Sequence, residues 1–187
     1  MILTARYVLP VSRPHIEHGA VCVKGDEIVA VGTLAEVIEQ YPHEEIKDFG
    51  LAALCPGFID THTHLEYTAM RGLVEDEPYA QWKHQVMLRE KLFTPQDWED
   101  SARLGALEAI SSGITTIADI TETGASGIAA DEAGLRGIIY REVETMEKKN
   151  VEAVMEKAKQ DIEEWRNSCD SDRLSIGIAH HSAYSCH

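Results

Sequence analysis

Basic residues are scarce in this chain. Lys and Arg number 17 against 32 Asp and Glu, leaving a net charge of −15. That balance argues against nucleic acid and against an anionic membrane as partners. It names no substrate, because much of the acid lies in helical stretches such as residues 142–164, where a solvated face accounts for it. Long apolar runs are also missing: none approaches the roughly 20 residues that span a bilayer. Residues 1–11 carry Arg6 in their middle, and no signal-peptide core precedes a small-residue cleavage site. Cysteine is sparse. Cys22, Cys55, Cys169 and Cys186 form no Cys-x-x-Cys pair and no dense framework, so a reducing cytoplasm is the expected compartment. Cys22 and Cys55 read as small core residues. No internal repeat and no low-complexity tract is present.

What remains is the composition of a globular domain, with 44% hydrophobic and 26% charged residues in 187. Residues 1–55 read as β-rich. A strand is expected over Ile2–Leu9, and Ala20–Val23 and Ile28–Val31 flank the turn chemistry of Lys24-Gly25-Asp26-Glu27. Thr33 with Glu36 makes a capping-box pattern before a short helix to about Gln40, and Tyr41-Pro42 ends it. Short extended pieces follow at 46–49 and 51–54. His15, His18 and His43 lie in polar contexts and read as surface histidines.

From Pro56 the pattern changes to alternating strand and helix. Phe58 and Ile59 lead into Asp60-Thr61-His62-Thr63-His64. Side chains at i and i+2 of a strand share a face, so His62 and His64 present two imidazoles to one point, as a divalent metal site requires. Asp60 shares that face and either orients a ligand or caps a turn. A helix is expected over Tyr79 to about Leu92, and another from Thr94-Pro95 to Gly113. Strands at Ile114–Asp119, Gly137–Glu142 and Leu174–His180 alternate with helices at Ser126–Gly134 and after Asn150, an expected cap. Such alternation specifies an α/β fold with parallel strands and right-handed crossovers. Functional groups then belong at the carboxyl ends of the strands. His62 and His64, Asp119, Arg141 and Glu142, and His180 and His181 stand there. For Asp119 a site role and a backbone hydrogen bond are both open. A metal held at the C-terminus by His180, His181, Cys186 and His187 is a minor alternative, since no strand or helix spacing brings all four together.

The stretches Pro56-Gly57-Phe58-Ile59-Asp60-Thr61-His62-Thr63-His64, Arg71-Gly72, Gly113-Ile114-Thr115-Thr116-Ile117-Ala118-Asp119 and His181-Ser182-Ala183-Tyr184 resemble the metal-dependent amidohydrolase superfamily. The likeness is to its branch of cytosine, guanine, S-adenosylhomocysteine and aminofutalosine deaminases and triazine chlorohydrolases. It implies part of a small, composite β-sandwich over residues 1–55. It implies the N-terminal half of a TIM-type (β/α) barrel, about the first four β/α units, over residues 56–187. It implies hydrolytic attack on a carbon–nitrogen bond other than a peptide bond, with one divalent metal ion, zinc before iron or nickel. By the same resemblance His62 and His64 are metal ligands, His181 is catalytic, and Glu90, Arg141 and Glu66 bind substrate. The competing readings are surface carboxylates for Glu90 and Glu66 and an ion pair for Arg141. His180 and Ala183 stand where the branch carries prolines. The branch also expects a third metal histidine and a metal-binding aspartate, which the chain to His187 does not supply. A whole barrel takes about 250 residues. The chain thus reads as an incomplete N-terminal fragment: part of a deaminase, or an inactive remnant or split-enzyme subunit. The expected partners are a small-molecule substrate and either a second copy or a complementing C-terminal half.

Overall fold

The computed structural model describes residues 1–169 and 172–186. The chain divides into two compact units, Met1–Pro56 and Gly57–His187. The first is a sheet of β1 (Ile2–Val8), β2 (Ile16–Lys24), β3 (Glu27–Thr33), β4 (Ile46–Asp48) and β5 (Ala53–Leu54), with helix α1 (Leu34–Gln40). The strand order is β3-β2-β1-β4, with β5 also on β1. β2 is longer than the expected Ala20–Val23 because its ladder with β1 continues out to Ile16. Ile2, Ala20, Cys22 and Val37 form its buried centre. Thr33 caps α1 in both directions with Glu36, so the capping box forms as the sequence specifies. Cys55 departs from its expected burial: it is exposed, lying between the two-residue strand β5 and Pro56. His15, His18 and His43 are exposed.

The second unit is a four-stranded sheet in the order β6-β7-β8-β9, parallel throughout. Its strands are β6 (Phe58–Thr63), β7 (Ile114–Thr121), β8 (Arg136–Val143) and β9 (Leu174–His180). Between them come a 3-10 segment (Leu65–Met70) and helices α2 (Tyr79–Glu90), α3 (Pro95–Ser111), α4 (Ala125–Glu132) and α5 (Val151–Ser168). Ile117, Ile139 and Ile176 of the sheet pack against Ala102, Ala106 and Ala109 of α3 and Ala125, Ala129 and Ala130 of α4. The small helix residues allow close approach. Gly105 is the extreme case, since a Cβ there would lie 2.4 Å from Thr68 Oγ1 and 3.0 Å from Leu65 O. Gly137 holds φ at 149°, with room for no side chain against Ile117 O. Asn150 precedes α5, but its side chain donates to Glu147 instead of capping the helix. Among the described residues no helix is long and apolar enough to cross a membrane.

Candidate active site

The carboxyl end of β6 carries the two histidines. The ladder between β6 and β7 shifts register between Asp60 and Thr63, a bulge of the kind that re-aims side chains. Asp60 Oδ1 accepts from His62 N at 3.1 Å, so the Asp60 side chain is engaged by its own strand. The rings of His62 and His64 lie 5.1 Å apart at 80°. His64 Nδ1 is 2.9 Å from Ile120 O. A carbonyl only accepts, so Nδ1 carries the proton and Nε2 keeps its lone pair. That is the state a neutral imidazole needs to bind a metal. The pair therefore fits a divalent cation, although two imidazoles do not complete its coordination. Among the described residues no three His, Cys, Asp or Glu side chains converge to hold a metal.

A cleft of about 540 Å³ opens beside His64. One wall is α2, whose Lys83, Val86 and Glu90 recur at helical spacing on one face. The other wall carries Tyr67, Glu122, Glu142, Glu144 and His181. Tyr67 packs edge-on against His64, with centroids 5.8 Å apart, and its hydroxyl donates to Glu90 Oε1 at 2.9 Å. Burial, reinforced by the Glu90 contact, pushes the Tyr67 phenol well above its usual range. Burial also raises Glu122, helped by the negative charges of Glu142, Glu90 and Glu66. His181 bridges Glu142 and Lys83. Its backbone N donates to Val143 O at 3.0 Å. His180, by contrast, is exposed at the end of β9 and stays out of the cleft.

The site residues expected from the sequence separate into two groups. His64, Glu90 and His181 line the cleft, and His62 stands exposed next to His64. Glu66 and Arg141 do not line it. Glu66 is 1% exposed. Its carboxylate accepts from the hydroxyls of Thr121 and Thr123 and from the backbone N–H groups of Glu122 and Thr123. It therefore ties the 3-10 segment to the end of β7 and has no free face for substrate. Arg141 donates to Asp161 of α5 at 2.9 Å and to Glu142 O, the ion-pair alternative for this residue. Asp119 is fully buried and accepts from Leu65 N at 2.7 Å, the backbone alternative. Burial pushes its carboxyl up to about 7, against the opposing pull of Ser126 and the Leu65 N–H. His187 lies outside the described residues. Cys186 Sγ faces Val143 O and His181 is held by Glu142 and Lys83, so neither points to a C-terminal metal cluster.

Tyr67, Lys83, Glu122 and Glu144 were not singled out by the sequence. Glu122 follows directly on the carboxyl end of β7, and that position was a usable signal. Lys83 had only its helical register with Glu90.

A family model for the amidohydrolase family matches residues 53–187, and one for the bacterial imidazolonepropionase-like composite domain matches residues 19–43. A 5-methylthioadenosine/S-adenosylhomocysteine deaminase of Thermodesulfovibrio yellowstonii is 33% identical, over 99% of this chain and 44% of its own length. Two crystal structures share the fold. Helicobacter pylori aminofutalosine deaminase in complex with methylthio-coformycin has a TM-score of 0.77 at 20% identity, covering 98% of this chain and 44% of that one. An adenosine deaminase of Xanthomonas campestris with bound zinc has a TM-score of 0.73 at 20% identity, covering 100% and 44%. The chain thus spans less than half the length of these relatives. The match over residues 53–187 takes in the paired histidines, the cleft and the parallel sheet that positions them, and the chain belongs to the amidohydrolase family.

Proposed function

We propose that this chain carries the metal-ligand strand and one side of the substrate cleft of a hydrolytic deaminase. Its substrate is a nucleobase or nucleoside-like small molecule, cut at a carbon–nitrogen bond other than a peptide bond. The observation that carries this reading is the Tyr67 bridge. One tyrosine packs on a metal-type imidazole, His64, and holds a cleft carboxylate, Glu90. The deaminase relatives support the reaction class, and the zinc in the Xanthomonas campestris structure supports the metal. His62 and His64 would hold the ion, with zinc ahead of iron or nickel. A divalent ion supplies Lewis-acid activation of water at neutral pH. Glu90 accepts ligand hydroxyls once Tyr67 has fixed its carboxylate. His181 reaches the ligand from the opposite wall, and the apolar faces of Trp82 and Val86 exclude water. In this reading β6–β9 are consecutive staves of a (β/α) barrel over residues 56–187. Residues 1–55 are part of the composite β-sandwich.

The test is ammonia release from adenine nucleosides and guanine by a zinc-supplemented full-length version that carries this chain; the 187-residue chain by itself is expected to be inactive. Release that disappears in His64→Ala is the expected result. Equal release from wild type and variant would overturn the reading.

A second reading rests on its own observations. The paired histidines leave a divalent ion short of ligands among the described residues, and β6 and β9 each have one unpaired edge there. The chain is then a subunit that turns over only with a second copy or a complementing C-terminal half, or it is an inactive remnant. Sedimentation of the chain tests the second reading: self-association or aggregation favours it, and a compact, folded monomer counts against it.

A further inference from the structure

His181 stands between two partners that together determine its tautomer. Its Nδ1 lies 2.9 Å from Glu142 Oε1, and its Nε2 lies 3.0 Å from Lys83 Nζ. An ionised carboxylate only accepts hydrogen bonds, and an ammonium only donates them. A single state satisfies both contacts: a neutral imidazole with its proton on Nδ1 and its lone pair on Nε2. The other neutral tautomer sets a lone pair against the carboxylate and a proton against the ammonium. The imidazolium keeps the Glu142 contact but brings two donors together at Nε2.

Both partners are well placed to impose this state. The Glu142 side chain is 12% exposed and sits near the end of β8, where the parallel ladder with β9 fixes its position. Lys83 is anchored a second time, by Glu144 at 3.4 Å. The backbone bond from His181 N to Val143 O keeps the imidazole over the end of β8. Lys83 belongs to α2, in which Val86 alone is buried, so its ammonium can withdraw with little loss of packing.

We propose that Glu142 and Lys83 are positioning residues for His181. Together they fix it as a neutral Nδ1–H imidazole whose Nε2 lone pair faces the cleft. At that point the cleft reads a hydrogen-bond donor on its ligand, an amino group, ring N–H or hydroxyl, which takes the place of the Lys83 ammonium. A ligand with only acceptors there meets a second lone pair. The relevance to deamination rests on the function proposed above; the tautomer does not.

The test is a long-range ¹H–¹⁵N correlation spectrum of the histidine rings in the 187-residue chain. It is recorded at mildly alkaline pH, above the ordinary histidine range. His181 is assigned by the signals lost in His181→Asn. The expected pattern is a protonated-type nitrogen at Nδ1 and a lone-pair-type nitrogen at Nε2. Glu142→Ala moves the ring toward the Nε2–H tautomer. Glu142→Gln, which keeps an accepting oxygen, restores Nδ1–H. A wild-type ring that is mainly Nε2–H overturns the proposal, as does a folded Glu142→Ala protein with an unchanged pattern. If Glu142→Ala does not fold, the wild-type and Glu142→Gln spectra decide alone. A full-length version that releases no ammonia, beside a chain that shows the Nδ1–H pattern, sinks the deaminase reading and leaves this one standing.

Discussion

Glu66 shows how much depends on the direction in which one side chain points. It is a carboxylate two residues from His64, yet its oxygens are taken up by Thr121, Glu122 and Thr123 at the end of β7. Glu66→Ala leaves buried donors without an acceptor and opens a cavity, so it should cost about 2–4 kcal/mol of stability. Urea denaturation checks this, and an unchanged midpoint would return Glu66 to the substrate side. Local spacing could not reveal the orientation, because a 3-10 segment has neither the strand nor the helix period. Arg141 was more accessible to sequence reasoning. Along β8 it shares a face with Ile139, which packs on the helices, whereas Glu142 lies on the opposite face. Strand parity therefore sends Arg141 toward Asp161 and Glu142 toward His181. The paired histidines were legible because their chemistry lies within three residues. The Lys83–His181 contact joins residues 98 apart and was not.

Helix boundaries were legible where the cap is local. Thr94 and Asp97 form a reciprocal capping box at the start of α3, with Pro95 in the first turn. Thr94→Ala should lower stability by about 1 kcal/mol, measured as a shift in the denaturation midpoint. Asn150 looked equally suitable for α5, but its backbone is already helical and its side chain turns to Glu147. What ties α5 to the sheet instead includes Asp161. Burial raises its carboxyl, but Lys157 and Arg141 outweigh that and hold it below the ordinary aspartate range. The group therefore contributes stability that is present above the unfolded aspartate pKa of about 3.9 and is lost as pH falls through the lower folded value. Stability measured between pH 5 and roughly 2 should fall less steeply in Asp161→Asn than in wild type. Parallel curves would mean that the ion pair carries no such linkage.

At the scale of the molecule, alternating strand and helix specify a parallel sheet, and the sheet gathers the ionisable groups at one end. The family follows from that arrangement and from the match over residues 53–187. The chain accounts for less than half the length of its relatives. What is proposed for this chain itself is narrower: that His62 and His64 at the end of β6 hold a divalent metal ion. Its most direct test is the metal content of the purified chain after zinc loading and dialysis, in wild type and in the His62→Ala/His64→Ala double variant. Zinc is expected to be retained by the wild type and lost from the folded double variant. Equal zinc in both proteins would contradict it.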